Sequence, residues 1–80
     1  MSEGRTLPAR SLPRLGAAIK TLRLERTMTQ AELAEAADVS RRWVSEVEAG
    51  TRDGVELARV LRVLGALDAS LMVRDDRPRP

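Results

Sequence analysis

Residues 29–50 read Thr29-Gln30-Ala31-Glu32-Leu33-Ala34-Glu35-Ala36-Ala37-Asp38-Val39-Ser40-Arg41-Arg42-Trp43-Val44-Ser45-Glu46-Val47-Glu48-Ala49-Gly50. Their punctuation predicts two short helices and a tight turn. Thr29 is a good N-cap, and Glu32 three residues later completes a capping box. Leu33, Ala34 and Ala37 follow at helical spacing. The apolar run breaks at Asp38, Val39 is apolar again, and Ser40 is a second N-cap. The second helix carries Val44 and Val47 inward and ends at Gly50.

The outward positions of that second helix are Arg41, Arg42, Trp43, Ser45 and Glu46. Two capped helices, a turn of three to four residues and an arginine-led second helix are the parts of a helix-turn-helix DNA reader. Arg bonds guanine O6 and N7 in bidentate fashion, Glu accepts from cytosine N4, and Ser bonds either kind of group. Arg41, Arg42, Glu46 and Ser45 are therefore the expected base readers. Helix N-termini offer N–H groups to phosphates, so Thr29, Gln30 and Ser40 are expected on the DNA backbone, with Lys20 and Arg10. Trp43 is placed with them, against a sugar or a thymine methyl; a Trp folded down to close the core, or meeting a protein partner, is the alternative. A solvated face for the arginines and a Glu46–Arg42 pair at i, i+4 are the bland alternatives.

The rest of the chain supports a small helical bundle. Eighty residues make one domain with a limited core. One Trp, with no Phe or Tyr, leaves that core to Leu, Val, Ile and Ala. Ser11 caps a helix that accepts Pro13 in its first turn, and Leu15, Ala18, Ile19 and Leu22 form its stripe to about Arg26. Asp53 and Glu56 repeat the capping-box spacing before a helix carrying Leu57, Val60, Leu61, Val63 and Leu64. So wide an apolar surface hints at a second subunit. Leu67, Ala69, Leu71 and Val73 then alternate with polar neighbours, which is strand patterning. No other stretch reads as a strand, so the expected partner is the same strand of a second copy across a two-fold axis. A fifth helix or a frayed tail is the alternative. The expected division is a mobile arm at 1–10, the helix-turn-helix domain at 11–66, a dimerisation strand at 67–74 and a disordered tail at 75–80. Leu67, Ala69, Leu71, Val73, Val60 and Val63 are the expected dimer contacts.

Charge and composition narrow the function. The net charge is only +2. Residues 1–27 carry +4, residues 28–58 carry −4 and residues 59–80 carry +2, an asymmetry that suits oriented contact with a polyanion. Cys and His are both absent, which removes disulfides, thiolate metal sites and the commonest general base. No enzyme, cofactor or metal site is expected. With no membrane span or signal segment, the expected location is the cytoplasm.

Thr29 to Ala34, Val39-Ser40, Val44-Ser45 and Val47 to Gly50 resemble the phage-repressor-like (Xre) helix-turn-helix family, without insertion, over about residues 12–65. The resemblance implies a lambda-repressor-like, all-α bundle of four helices. It implies a phosphate contact for Gln30, base readers at Arg41, Arg42 and Glu46, and a partly buried ion pair between Arg23 and Glu48. Trp43 falls where that family usually has a small polar residue. Residues 11–20 and 64–73 are further similar to HipB-type antitoxins, whose four helices precede a C-terminal strand paired between subunits. That implies a homodimer on double-stranded DNA with an inverted repeat, and a HipA-like kinase toxin as partner. The expected function is a sequence-specific repressor, the antitoxin of such a pair. A stand-alone regulator, or an interaction module that mainly neutralises a partner, is the alternative.

Overall fold

A computed structural model describes residues 4–79. Four helices follow one another: α1 Leu12–Glu25, α2 Gln30–Ala37, α3 Arg41–Ala49 and α4 Leu57–Ala66. Each of the first three starts on the expected cap. The Ser11 hydroxyl accepts from the Arg14 N–H, and that of Ser40 from the Trp43 N–H. At α2 the box closes both ways: Glu32 N–H donates to Thr29 Oγ1 (3.0 Å), and Thr29 N–H donates to Glu32 Oε1 (2.8 Å).

All four helices end in the same way. A residue with positive φ follows each: Thr27 (53°), Asp38 (55°), Gly50 (71°) and Asp68 (55°). The N–H of the next residue reaches back five positions: Met28 to Arg23 O, Val39 to Ala34 O, Thr51 to Glu46 O, Ala69 to Leu64 O. These are Schellman closures, which satisfy carbonyls the helix leaves open. Arginines satisfy others. Arg62 donates to the Ala37 and Asp38 carbonyls at the end of α2, and Arg26 to the Leu67 carbonyl after α4.

The core lies where α3 packs on α1 and α2, and α2 on α4. Ile19, Leu33, Trp43, Val44, Val63 and Leu67 are its largest fully buried side chains. Gly16 is what allows α1 so close to α3. A Cβ there would stand 1.8 Å from the Val47 carbonyl oxygen.

Three expectations about the C-terminal half are corrected. α4 starts at Leu57, with Glu56 at its N-cap and no side-chain cap bond, so Asp53 and Glu56 form no capping box. The Glu56 carboxylate is held elsewhere, by the Trp43 indole N–H. Residues 67–74 also form no strand; among the described residues there is none. Leu67 closes α4, the turn at Asp68 uses the first backbone donors, and Leu67 and Ala69 fold onto the chain's own core. A strand needs a ladder partner, and the single chain supplies none. Val60 and Val63 are buried in that core too, which removes them as dimer contacts. Leu71, Met72 and Val73 are exposed.

Residues 4–10 have no regular structure; two exposed ion pairs link them to the rest of the chain, Arg5 with Glu25 and Arg10 with Asp76 at 2.9 Å. The remainder of the expected arm (1–3) and the last residue of the expected tail (80) lie outside the described residues.

Candidate nucleic-acid interface

The outward face of α3 follows from its pitch of about 100° per residue. Starting from Arg41, residues 45, 49, 42 and 46 fill an arc of roughly 140°, while 43, 47, 44 and 48 occupy the other side. Burial agrees: Arg41, Arg42, Ser45 and Ala49 are exposed, whereas Trp43, Val44 and Val47 are buried. Trp43 is thus corrected from an outward contact to a core residue, 2% exposed. Three consecutive helical residues cannot all face outward, and the third lies beside Val47. Its indole N–H donates to Glu56 Oε1 at 3.0 Å, which satisfies the one polar atom a buried Trp brings with it. That bond, ahead of the Arg59 and Arg52 charges, holds the Glu56 carboxyl below its ordinary pKa.

The four outward side chains differ in freedom. Arg41 and Ser45 have no side-chain partner among the described residues. Arg42 Nε donates to Glu46 Oε2 at 3.1 Å, yet the Arg42 side chain stays 86% exposed. The other oxygen, Glu46 Oε1, accepts from Arg52 Nη1 at 3.2 Å.

Beneath this face, α3 is tied to α1 by charge. Arg23 donates to both oxygens of Glu48 (2.7 and 2.9 Å) and to the Met28 carbonyl (2.7 Å). The Glu48 side chain is only 3% exposed. The bidentate bond to Glu48 raises the Arg23 pKa despite burial. Gln30 Nε2 adds a third bond to Glu48 Oε1 at 3.2 Å. Its amide is therefore anchored at the start of α2, beside the capped Thr29.

The remaining candidate phosphate contacts are scattered. Ser40 is exposed at the start of α3, with its hydroxyl used as the cap. Lys20 is exposed on α1. Arg10 is engaged with Asp76.

The sequence profile of the helix-turn-helix domain family matches residues 14–76. The chain belongs to that family. Proteins of known structure resemble it over most of its length. The restriction-modification controller protein C.AhdI from Aeromonas hydrophila is 32% identical, with a TM-score of 0.69 over 74% of this chain and 88% of that one. Two structures of the clp gene regulator ClgR from Corynebacterium glutamicum are 39% and 37% identical, with TM-scores of 0.69 and 0.70. They cover 79% and 82% of this chain, and 67% and 85% of their own. No curated protein matches.

Within this helix-turn-helix domain, sequence reasoning missed Arg52 and read Glu56 only as a capping residue; both brace α3 from the following loop. Nothing local marks them, since Glu56 lies thirteen residues from Trp43. Gly16 was not singled out in the sequence, although its spacing from Ile19 and Arg23 puts all three on one face.

Proposed function

We propose that this chain is a sequence-specific DNA-binding transcriptional regulator, not an enzyme, which acts as a homodimer on an inverted repeat. The observation that carries the reading is the outward arc of α3. Arg41, Ser45, Arg42 and Glu46 stand on a helix held from behind by Trp43, Val47 and the Arg23–Glu48 pair. A helix fixed so firmly, with donors and an acceptor near its start, suits insertion into a major groove. Thr29, Gln30 and Ser40 lie at the starts of α2 and α3, where phosphates are commonly held; Lys20 and Arg10 add charge.

Dimerisation is supported by Leu57 and Leu61, which are exposed on α4, and by Leu71, Met72 and Val73 beyond it. Two copies of α3 would then enter successive grooves about 34 Å apart. The similar solved proteins, a restriction-modification controller and a clp gene regulator by name, favour control of promoters. The narrower antitoxin reading rests on the sequence resemblance of residues 11–20 and 64–73; co-purification with a kinase encoded beside this gene is its test.

Selection from a pool of random duplexes tests the main reading. The expected result is an inverted repeat bound at least about a thousand-fold more tightly than scrambled DNA. Equal affinity for all duplexes would sink it.

A further inference from the structure

Glu46 shares its carboxylate between two arginines of very different freedom. Arg42, on the same helix, is 86% exposed. Arg52, in the loop between α3 and α4, is 27% exposed and held at four points. Its Nη1 donates to Glu46 Oε1 (3.2 Å), its Nε to the Gly54 carbonyl (3.1 Å) and its Nη2 to Glu56 Oε2 (3.5 Å), while the guanidinium carbon lies 6.0 Å from the centre of the Trp43 ring. Trp43 in turn is fixed in the core and donates to the other oxygen of Glu56. A closed chain of contacts thus runs from core to surface: Trp43, Glu56, Arg52, Glu46.

We propose that Arg52 is a positioning residue for sequence readout, which holds the Glu46 carboxylate on the outward arc of α3 and so sets the base pair from which Glu46 accepts. The inference rests on the DNA-reading function above. Its physical basis is competition for one carboxylate. A glutamate paired only with the mobile Arg42 would follow that arginine's rotamers. Paired through Oε1 to an anchored guanidinium, it keeps Oε2 in one place. When Arg42 leaves to bond a guanine, Glu46 neither follows nor stands uncompensated, because Arg52 still balances its charge. Oε2 then faces the groove as a fixed acceptor, suited to a cytosine N4 amino group. Preorganisation of this kind yields discrimination rather than raw affinity, since the anchored acceptor strands itself beside a wrong base.

Duplex selection followed by titration on single-position variants of the winning site tests the proposal. The proteins compared are wild type, Glu46→Ala, Arg52→Met, and the double variant; the Met side chain retains the apolar stem over Trp43. Glu46→Ala is expected to relax one base pair per half-site. Arg52→Met is expected to relax that same pair by about ten-fold or more, the discrimination one good base contact supplies, and to leave the others and the salt dependence unchanged. The double variant should match Glu46→Ala, because the arginine acts only through the glutamate. Arg52→Lys, which keeps the charge, should recover most of the preference. Should Arg52→Met fail to melt cooperatively, Arg52→Gln, which retains a donor for the Gly54 carbonyl, makes the same comparison. Full retention of the wild-type preference by Arg52→Met, or by Arg52→Gln in its place, overturns the proposal. So does a uniform loss on all duplexes with a shallower salt slope, which would make Arg52 a phosphate contact. A wild-type chain that selects no site overturns the functional reading as well, which separates the two failures.

Discussion

At the scale of single residues, the decisive fact is which charges are sheltered. Arg23 and Glu48 are joined by two hydrogen bonds below the surface. Removing one partner strands the other, at a cost of about 3–5 kcal/mol, a large part of what an 80-residue domain possesses. Glu48→Ala should therefore lower the urea midpoint sharply, and Arg23→Met/Glu48→Met together should recover much of it. Glu56 behaves differently. The Trp43 N–H holds its carboxyl below the ordinary value in the folded chain, so the unfolded chain binds its proton first on acidification. Its contribution is complete above the ordinary glutamate pKa and is lost as pH falls through the lower, folded value. Glu56→Gln keeps an acceptor for Trp43 but cannot titrate. Melting temperatures between about pH 6 and pH 3 should thus fall less steeply for the variant than for wild type; parallel curves would exclude the effect. Glu25, lowered by Arg5, and Asp75, lowered by Arg77, add acid sensitivity that both proteins share. The Trp43–Glu56 bond was hidden from sequence reading, because thirteen residues of chain, with a loop, separate donor from acceptor.

At the scale of elements, caps and periods were the legible part. Ser11, Thr29 and Ser40 each accept a local N–H within three residues, and such short-range bonds can be inferred from residue type alone. The C-terminal ends were less legible. Thr27, Asp38 and Asp68 take positive φ without being glycine, a conformation that costs roughly 1–2 kcal/mol for residues with a Cβ. At Asp68 that turn converts an apparent strand alternation into a helix closure, which puts Leu67 and Ala69 against the core. Packing of α1 on α3 depends on Gly16. In Gly16→Ala the new methyl would meet the Val47 carbonyl, and overpacking of this kind costs about 1–3 kcal/mol, against the gain of up to about 1 kcal/mol from helix propensity. A net loss in thermal midpoint, with weaker DNA binding as α3 is displaced, is the expected outcome. An unchanged midpoint would mean that the two helices are not in contact there.

At the scale of the whole molecule, the proposed function depends on two faces. Arg41→Ala should cost about 1–3 kcal/mol on the selected site and relax one base position. Arg10→Ala should weaken all duplexes alike and reduce the salt slope by about one; equal losses on specific and scrambled DNA for Arg41→Ala would remove it from the base readers. For the apolar face, the structure moves the informative truncation. Deleting from Leu67 would tear out a core residue, whereas deleting 71–80 removes no buried residue among those described. The shorter deletion should leave the melting temperature nearly intact and weaken self-association in sedimentation; a dimer unchanged by it would leave Leu57 and Leu61 as the sole contact. The sequence by itself determined the three capped helices at residues 11–50, the breaks between them and the arginine-led start of α3, because caps, helical period and turn chemistry act within a few residues. It also carried the family, since that motif is continuous. Only the tertiary structure decided that Trp43 faces inward, that Glu56 and Arg52 brace α3, that Gly16 seats α1, and that residues 67–69 finish a helix instead of starting a strand. Each of these depends on what a distant segment presents at the same place, and hydrophobic spacing along the chain does not encode which of two surfaces will cover an apolar side chain.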